Sequence, residues 1–410
     1  MIESTDECLP TTQTELARWM AENSAGAARP VYPVGGRTAL HYGYPAERPG
    51  MTLATSRLTT VVDYPARDMT VTVEAGIRIE DLVSLLAQEG QRLPIDMPQA
   101  HRATLGGVVA TNTSGAHRYG HGTLRDYVIG ISAVDATGRL FHSGGRVVKN
   151  VAGYDLCKLL VGSLGTLAVI TQVTLKLRPI PESSALLLVS FDRWESIDTA
   201  LEQMLTSAAR PVALDVLCSR AAHAVSTEAG LTLDCRRPLL CVGVEGTRRE
   251  VQWQLETLQG ELTRLSPSAQ ETVEGAAAAQ FWFALAEFPV SSEEPLTFKA
   301  NLRPSRTVEF LEQAESRGIT LQAHAGNGIV TGHLPDDVTS LEAAGKLVGE
   351  LRQLARTGGG NLVVLQCDTS WKSELAVFGD PESSWPLMRQ VKAALDPRNL
   401  LNPHRLHGPL

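Results

Sequence analysis

No run of apolar residues in this chain approaches the roughly 20 that a membrane-spanning helix needs, so direct membrane insertion is not expected. Cysteine is scarce and scattered: Cys8, Cys157, Cys218, Cys235, Cys241 and Cys367 form no CxxC pair. Iron–sulfur and structural zinc sites need tighter clusters. The chain therefore carries no iron–sulfur centre of its own, and its thiols read as small buried hydrophobes. A basic excess is missing too. The formal net charge is −8, which argues against a nucleic-acid partner, because phosphate binding needs a concentrated basic face. The opening residues, Met1–Glu7, are acidic and polar, unlike a secretory signal or a transit peptide. A cytoplasmic address is the expectation, with any contact to the inner face of the membrane made through partners.

What is present is ordinary globular material: 410 residues, 43% apolar and 20% charged, enough for two or three domains with a filled core. Residues 1–181 are rich in glycine and β-branched residues, with strands at Thr70–Glu74 and Thr166–Lys176. Between them Ile79, Leu82, Val83, Leu85 and Leu86 recur at helical spacing, and Gly90 supplies a stop. Pro179 and Pro181 mark a boundary.

Residues 182–370 alternate strands with charged amphipathic helices. The first round reads Leu186–Phe191, Trp194–Ala208, Val212–Leu217, Leu239–Glu245 and Arg248–Leu265 as β-α-β-β-α. The second reads Thr297–Arg303, Thr307–Arg317, Ile319–His324, Ile329–His333, Thr339–Arg356 and Asn361–Gln366 as β-α-β-β-α-β. Two such rounds predict an α+β domain of ferredoxin-like halves sharing one antiparallel sheet. Residues 371–410 are proline-rich and irregular, with a short helix at Pro386–Leu395.

Four stretches carry chemistry. In the first, Pro33-Val34-Gly35-Gly36-Arg37-Thr38-Ala39-Leu40, paired glycines after a short strand allow close backbone approach to a ligand. Successive N–H groups in such a turn can bind an anion, at roughly 1.5–3 kcal/mol for each bond to a charged group. Taken alone, an ordinary strand-turn explains the same residues. The second, Thr104-Leu105-Gly106-Gly107 through Thr111-Asn112-Thr113-Ser114-Gly115, is small and hydroxyl-rich, which suits a backbone lying against a flat cofactor. The third is Lys149-Asn150-Val151-Ala152-Gly153-Tyr154-Asp155 with Gly165-Thr166-Leu167-Ala168-Val169-Ile170-Thr171, and the fourth is Leu395–Pro403, containing Asn402.

In this order and spacing the four resemble the PCMH-type FAD-binding domain shared by vanillyl-alcohol oxidase, D-lactate dehydrogenase and their relatives. The third stretch looks most like the smaller, FAD-binding E subunits of bacterial glycolate oxidases. The resemblance implies one FAD. It places the pyrophosphate at Gly35–Ala39, more of the cofactor along Thr104, Gly106, Gly107 and Ser114, and backbone contacts at Gly165 and Ile170. Asn402 is implied near the flavin ring, as residues 371–410 return to the first domain. Some relatives attach flavin through a histidine near the position of His41, but nothing in this stretch supports that here.

For activity, the resemblance implies oxidation of a small 2-hydroxy acid such as glycolate. Electrons would pass through FAD to an iron–sulfur subunit, in a complex with a second, homologous flavin subunit. A self-sufficient D-lactate-like dehydrogenase and a non-catalytic scaffold subunit are the alternatives. Such chemistry needs a cation for the carboxylate and a base or metal for the hydroxyl proton.

Catalytic relatives carry a Trp-x-x-Arg segment, and Trp282 is present here with Leu285 in place of the arginine. On Thr297–Arg303 the alternation puts Lys299, Asn301 and Arg303 on one face, either as a carboxylate site or as the solvent side of a half-buried strand. His324 is the candidate base. Asn327-Gly328 signals a type I′ hairpin, and His324 and His333 flank it. No Glu-His pair follows, so no metal site is expected.

Overall fold

The computed structural model describes residues 4–145, 154–290 and 294–406. The chain divides into two compact units. One comprises Met1–Thr113, Thr123–Ile180 and Lys372–Leu410, and the other Ser114–Gly122 and Pro181–Trp371.

In the first unit a five-stranded antiparallel sheet runs in the order Val61–Asp63, Thr70–Glu74, Val169–Lys176, Val128–Val134, Leu140–Gly144. Its β-branched residues form the core: Val71, Val73, Ile131 and Val173 are buried together with Ile79, Leu82 and Leu86 of the helix Ile79–Ala87. The third strand starts at Val169 rather than Thr166, because Leu164 and Gly165 turn left-handed just before it. A second sheet is parallel, with Gly50–Ala54 between Ser4–Cys8 and Val31–Val34. The C-terminal segment runs beside Val31–Val34: the Val31 N–H donates to the Leu400 carbonyl (2.7 Å), and the Asn402 N–H to the Val31 carbonyl (2.9 Å). That pairing delivers Asn402 to the end of the strand that feeds the Gly35–Gly36 loop.

The second unit is built on an eight-stranded antiparallel sheet. Its order is Ala269–Glu274, Ser183–Ser190, Leu239–Gly246, Ala213–Leu217, Thr320–His324, Ile329–His333, Leu296–Asn301, Asn361–Cys367. Each half has the ferredoxin-like order 4-1-3-2, and the halves join edge to edge where Asp215 lies opposite His324. Three elements went unforeseen: the helices Ser219–Glu228 and Gly275–Glu287 and the edge strand Ala269–Glu274. The turn after His324 differs from expectation as well. Residues Ala325–Asn327 form a 3-10 turn closed by Gly328 at φ +69°, while Asn327 is not left-handed. A type I′ turn requires positive φ at both central residues.

Candidate functional site

The first unit carries a cleft walled by Pro33–Leu40, Gly106, Gly107, Thr111, Gly165, Ile170 and Asn402. The fold thus gathers residues from all four sequence stretches around one concavity. Tyr42, Thr55 and Arg405 also wall it and were not anticipated. Within the third stretch, Lys149–Gly153 lies outside the described residues.

The two loop glycines serve a purpose different from the expected one. A Cβ on Gly35 would sit 2.0 Å from Thr104 Oγ1, and one on Gly36 would sit 1.9 Å from the Arg102 carbonyl oxygen. The loop is therefore pressed onto residues 102–104, and glycine is needed against protein rather than ligand. Thr104 itself is buried beneath Gly35. Leu105 is a correction: its side chain belongs to the hydrophobic core, fully buried, and does not wall the cleft. Asn112 ends the helix Leu105–Thr111 in the left-handed region and stands outside the lining, while Ser114 and Gly115 group with the other unit.

Residues 40–44 are held from the C-terminal segment. The Arg405 guanidinium donates to the carbonyls of Leu40 (2.9 Å), Tyr42 (2.9 Å) and Tyr44 (3.3 Å). Lys372 Nζ donates to the carbonyls of His41 and Gly43. Burial first, then the charges of Lys372 and Arg405, push the His41 imidazole down to about 4 from 6.5. The ring is thus neutral at pH 7.

The unfolded chain takes up this proton near pH 6.5 and the folded chain only near 4. His41 therefore costs nothing above pH 6.5, and stability falls as pH drops from there toward 4. The full effect is on the order of 3 kcal/mol. Thermal melts of the wild type and His41→Gln across pH 4–7.5 should diverge in the acid range; parallel curves would remove His41 as the cause.

A group that fits this cleft must be anionic near the loop amides and extended along small residues. The loop meets the first demand and Gly106, Gly107 and Gly165 the second. Asn402 adds a buried Oδ1 without a protein hydrogen-bond partner, its Nδ2 being committed to the Leu164 carbonyl (2.8 Å). These features match the dinucleotide.

Comparison with known families agrees. An FAD-binding domain profile matches residues 8–144, and one for the C-terminal domain of FAD-linked oxidases matches 180–362 and 376–406. The chain belongs to the FAD-linked oxidases. Its cofactor is FAD, and its fold is that of PCMH-type, vanillyl-alcohol-oxidase-like flavoproteins.

D-lactate dehydrogenase of Archaeoglobus fulgidus is 30% identical over 391 residues, covering 92% of this chain and 86% of that one. Glycolate oxidase subunit GlcD of Bacillus subtilis is 25% identical over 398 residues, covering 92% and 83%. Glycolate oxidase subunit GlcE of Escherichia coli is 34% identical over 170 residues, covering 41% and 47%. The structure of substrate-bound p-cresol methylhydroxylase superposes with a TM-score of 0.73 at 15% identity, over 97% of this chain and 88% of that one.

In this FAD-linked oxidase the second unit concentrates polar groups on one face of its sheet. Directly opposed residues share a face, as do residues two apart on a strand. Registers Asp215↔His324, Gln322↔Thr331 and Thr331↔Lys299 therefore place all five side chains together. His324 Nδ1 bonds both Asp215 oxygens (2.9 and 3.0 Å), and Gln322 Nε2 donates to Asp215 Oδ2 (3.0 Å). Asp215 has no exposed surface.

A carboxylate oxygen accepts, so in this pair His324 Nδ1 is the donor. Asp215 escaped the sequence reading; its one mark is a lone carboxylate in the otherwise apolar strand Ala213–Leu217. Lys299 is desolvated, and burial followed by the Arg118 charge holds its ammonium below the usual lysine range.

Arg303 does not join this group. The strand ends at Asn301, and Arg303 is exposed beside Gly359. His333 is committed at both ring nitrogens, to Thr297 Oγ1 (3.0 Å) and the Phe288 carbonyl (2.9 Å). The Trp282 and His117 rings lie 4.1 Å apart, tilted by 35°, and His117 and His121 both bond Glu245, at 3.1 and 2.9 Å. Among the described residues no cluster of three or more His, Cys, Asp or Glu is placed to hold a metal, and no helix is long and apolar enough to cross a membrane.

Proposed function

We propose that this chain is the FAD-binding subunit of a glycolate oxidase or dehydrogenase complex, of the E-subunit type. It oxidises glycolate, or a closely similar 2-hydroxy acid, to the 2-oxo acid. The observation that carries the chemistry is the His324–Asp215 pair on the sheet face that also bears Lys299. FAD, when bound, supplies the hydride acceptor.

The chain's own residues supply the rest. Lys299, already strained by the Arg118 charge, binds the substrate carboxylate, which relieves the repulsion between two cations. His324 Nε2 takes the hydroxyl proton, and Asp215 stabilises the imidazolium that forms. Arg303 has no part, given its position. The scattered cysteines leave onward electron transfer to an iron–sulfur partner, and a homologous flavin subunit completes the complex. A cytoplasmic site, reached at the membrane through those partners, fits this assembly. The similarity to D-lactate dehydrogenase favours a second reading, a self-sufficient dehydrogenase of D-2-hydroxy acids.

Anaerobic titration of the purified flavoprotein with glycolate and D-lactate separates the readings. Flavin bleached by glycolate only with partner subunits present supports the complex, and bleaching of the isolated chain supports self-sufficiency. Flavin that stays oxidised under both conditions leaves only a scaffold role. Lys299→Met should raise KM by about 10- to 100-fold, the worth of one charged hydrogen bond, with flavin content unchanged. An unaltered KM would remove Lys299 from the carboxylate site.

A further inference from the structure

Residues Ser114–Gly122 belong to the second unit, although the sequence on either side of them folds in the first. They attach to the sheet face that carries Asp215, His324 and Lys299. Asp215 lies opposite Cys241, and Cys241, Gly243 and Glu245 alternate along the strand Leu239–Gly246, so Glu245 shares that face. The two oxygens of Glu245, a side chain only 6% exposed, are taken by His117 Nε2 (3.1 Å) and His121 Nε2 (2.9 Å). Between these anchors the Tyr119 ring packs so tightly on the turn after His324 that a Cβ on Gly326 would lie 2.4 Å from it. The Gly120 N–H donates to the Val212 carbonyl (2.9 Å). Positions 117, 119, 120 and 121 thus all seat the segment on the sheet.

Arg118 sits among those anchors. Its guanidinium donates to Ser114 Oγ (3.3 Å), and its charge reaches Lys299, where it adds to burial in disfavouring the ammonium. Two cations within electrostatic reach at a desolvated site repel each other, and an anion bound by both offsets that repulsion. A planar guanidinium and an ammonium suit a carboxylate, whose two oxygens can each take a separate donor. The helix Gly275–Glu287 meets the same face, where the Leu285 carbonyl accepts from Gln322 Nε2 (3.1 Å), yet it contains no lysine or arginine.

We propose that Arg118 binds the substrate carboxylate together with Lys299. The carboxylate bridges a fork on the overlying segment and an ammonium on the sheet, which fixes its plane as well as its position. Esters and amides of the same acids leave both cations uncompensated, so the site selects free acids. The proposal rests on reading this face as the 2-hydroxy acid site.

The test uses the purified, oxidised flavoprotein and oxalate, a carboxylate with no α-hydrogen to transfer, with calorimetry as the readout. The wild type should bind oxalate. Arg118→Met should raise its Kd at least tenfold, with flavin content and melting temperature unchanged. Arg118→Lys, which keeps the charge without the fork, should fall between the two. No oxalate binding by the wild type, or an equal Kd in the wild type and both variants, overturns the proposal. Loss of flavin or of the fold in both variants does so too, because Arg118 would then be structural. Failure of the 2-hydroxy acid reading looks different: oxalate affinity would still depend on Arg118, while glycolate and D-lactate left the flavin oxidised even with partner subunits present.

Discussion

Replacing Gly36 by alanine should strip most of the FAD from the purified protein. The new methyl group would lie 1.9 Å from the Arg102 carbonyl oxygen and 2.7 Å from its carbon. Those are backbone atoms, so neither a rotamer change nor a flexible tip can absorb the clash, and the loop must lift off residues 102–104. Overpacking of this kind costs about 1–3 kcal/mol, sometimes more. The cost falls on the loop amides proposed to converge on the pyrophosphate, so flavin content should drop by at least tenfold. The informative control is Gly260→Ala. Gly260 lies in the helix Arg248–Thr263 with nothing within 4 Å of the added carbon, and that change should stabilise the protein by up to about 1 kcal/mol. A Gly36→Ala protein that purifies yellow, with the wild-type ratio of visible to ultraviolet absorbance, would mean that the loop does not need its seat.

The location of this loop was legible in the sequence, but the reason for its glycines was not. Gly35 and Gly36 are contiguous with the strand that precedes them, so the motif survives as a string. The surface they press against comes from residues 102–104, and no local pattern announces that contact. Arg405 shows the same limit from the other end of the chain, since it reaches Leu40 only through a separation of 365 positions.

The sheet of the second unit was easier to read, because the alternation of strands and amphipathic helices is itself local. Ala269–Glu274 was missed because its composition, Ala-Gln-Glu-Thr-Val-Glu, is that of a solvated edge strand with one buried residue. Gly275–Glu287 was read for its Trp282 motif and not as a helix. Arg303 was misplaced because strict alternation was carried past Asn301, where the strand stops ahead of Pro304.

Asp215 is the clearest case of information that exists only in the fold, since 109 positions separate it from His324. The Asp215→Asn variant should lower kcat by about 10²- to 10⁴-fold, the range associated with a positioned general base. Asparagine fills the same volume, and its Nδ2 can donate to His324 Nδ1. The proton then moves to Nε2, the nitrogen proposed to accept the substrate's hydroxyl proton. Charge is lost as well, so the imidazolium formed during turnover has no counterion in a fully buried site.

Flavin content and melting temperature should change little, because Gln322 retains an oxygen to which it can donate. KM should also hold, since Lys299 rather than Asp215 is the proposed partner of the carboxylate. The decisive measurement is a double-mutant cycle with His324→Gln. If Asp215 acts only through the histidine, the double variant should be no slower than His324→Gln alone. Fully multiplicative losses would show that Asp215 supports the sheet seam independently, and an Asp215→Asn protein with wild-type kcat would remove His324 as the base.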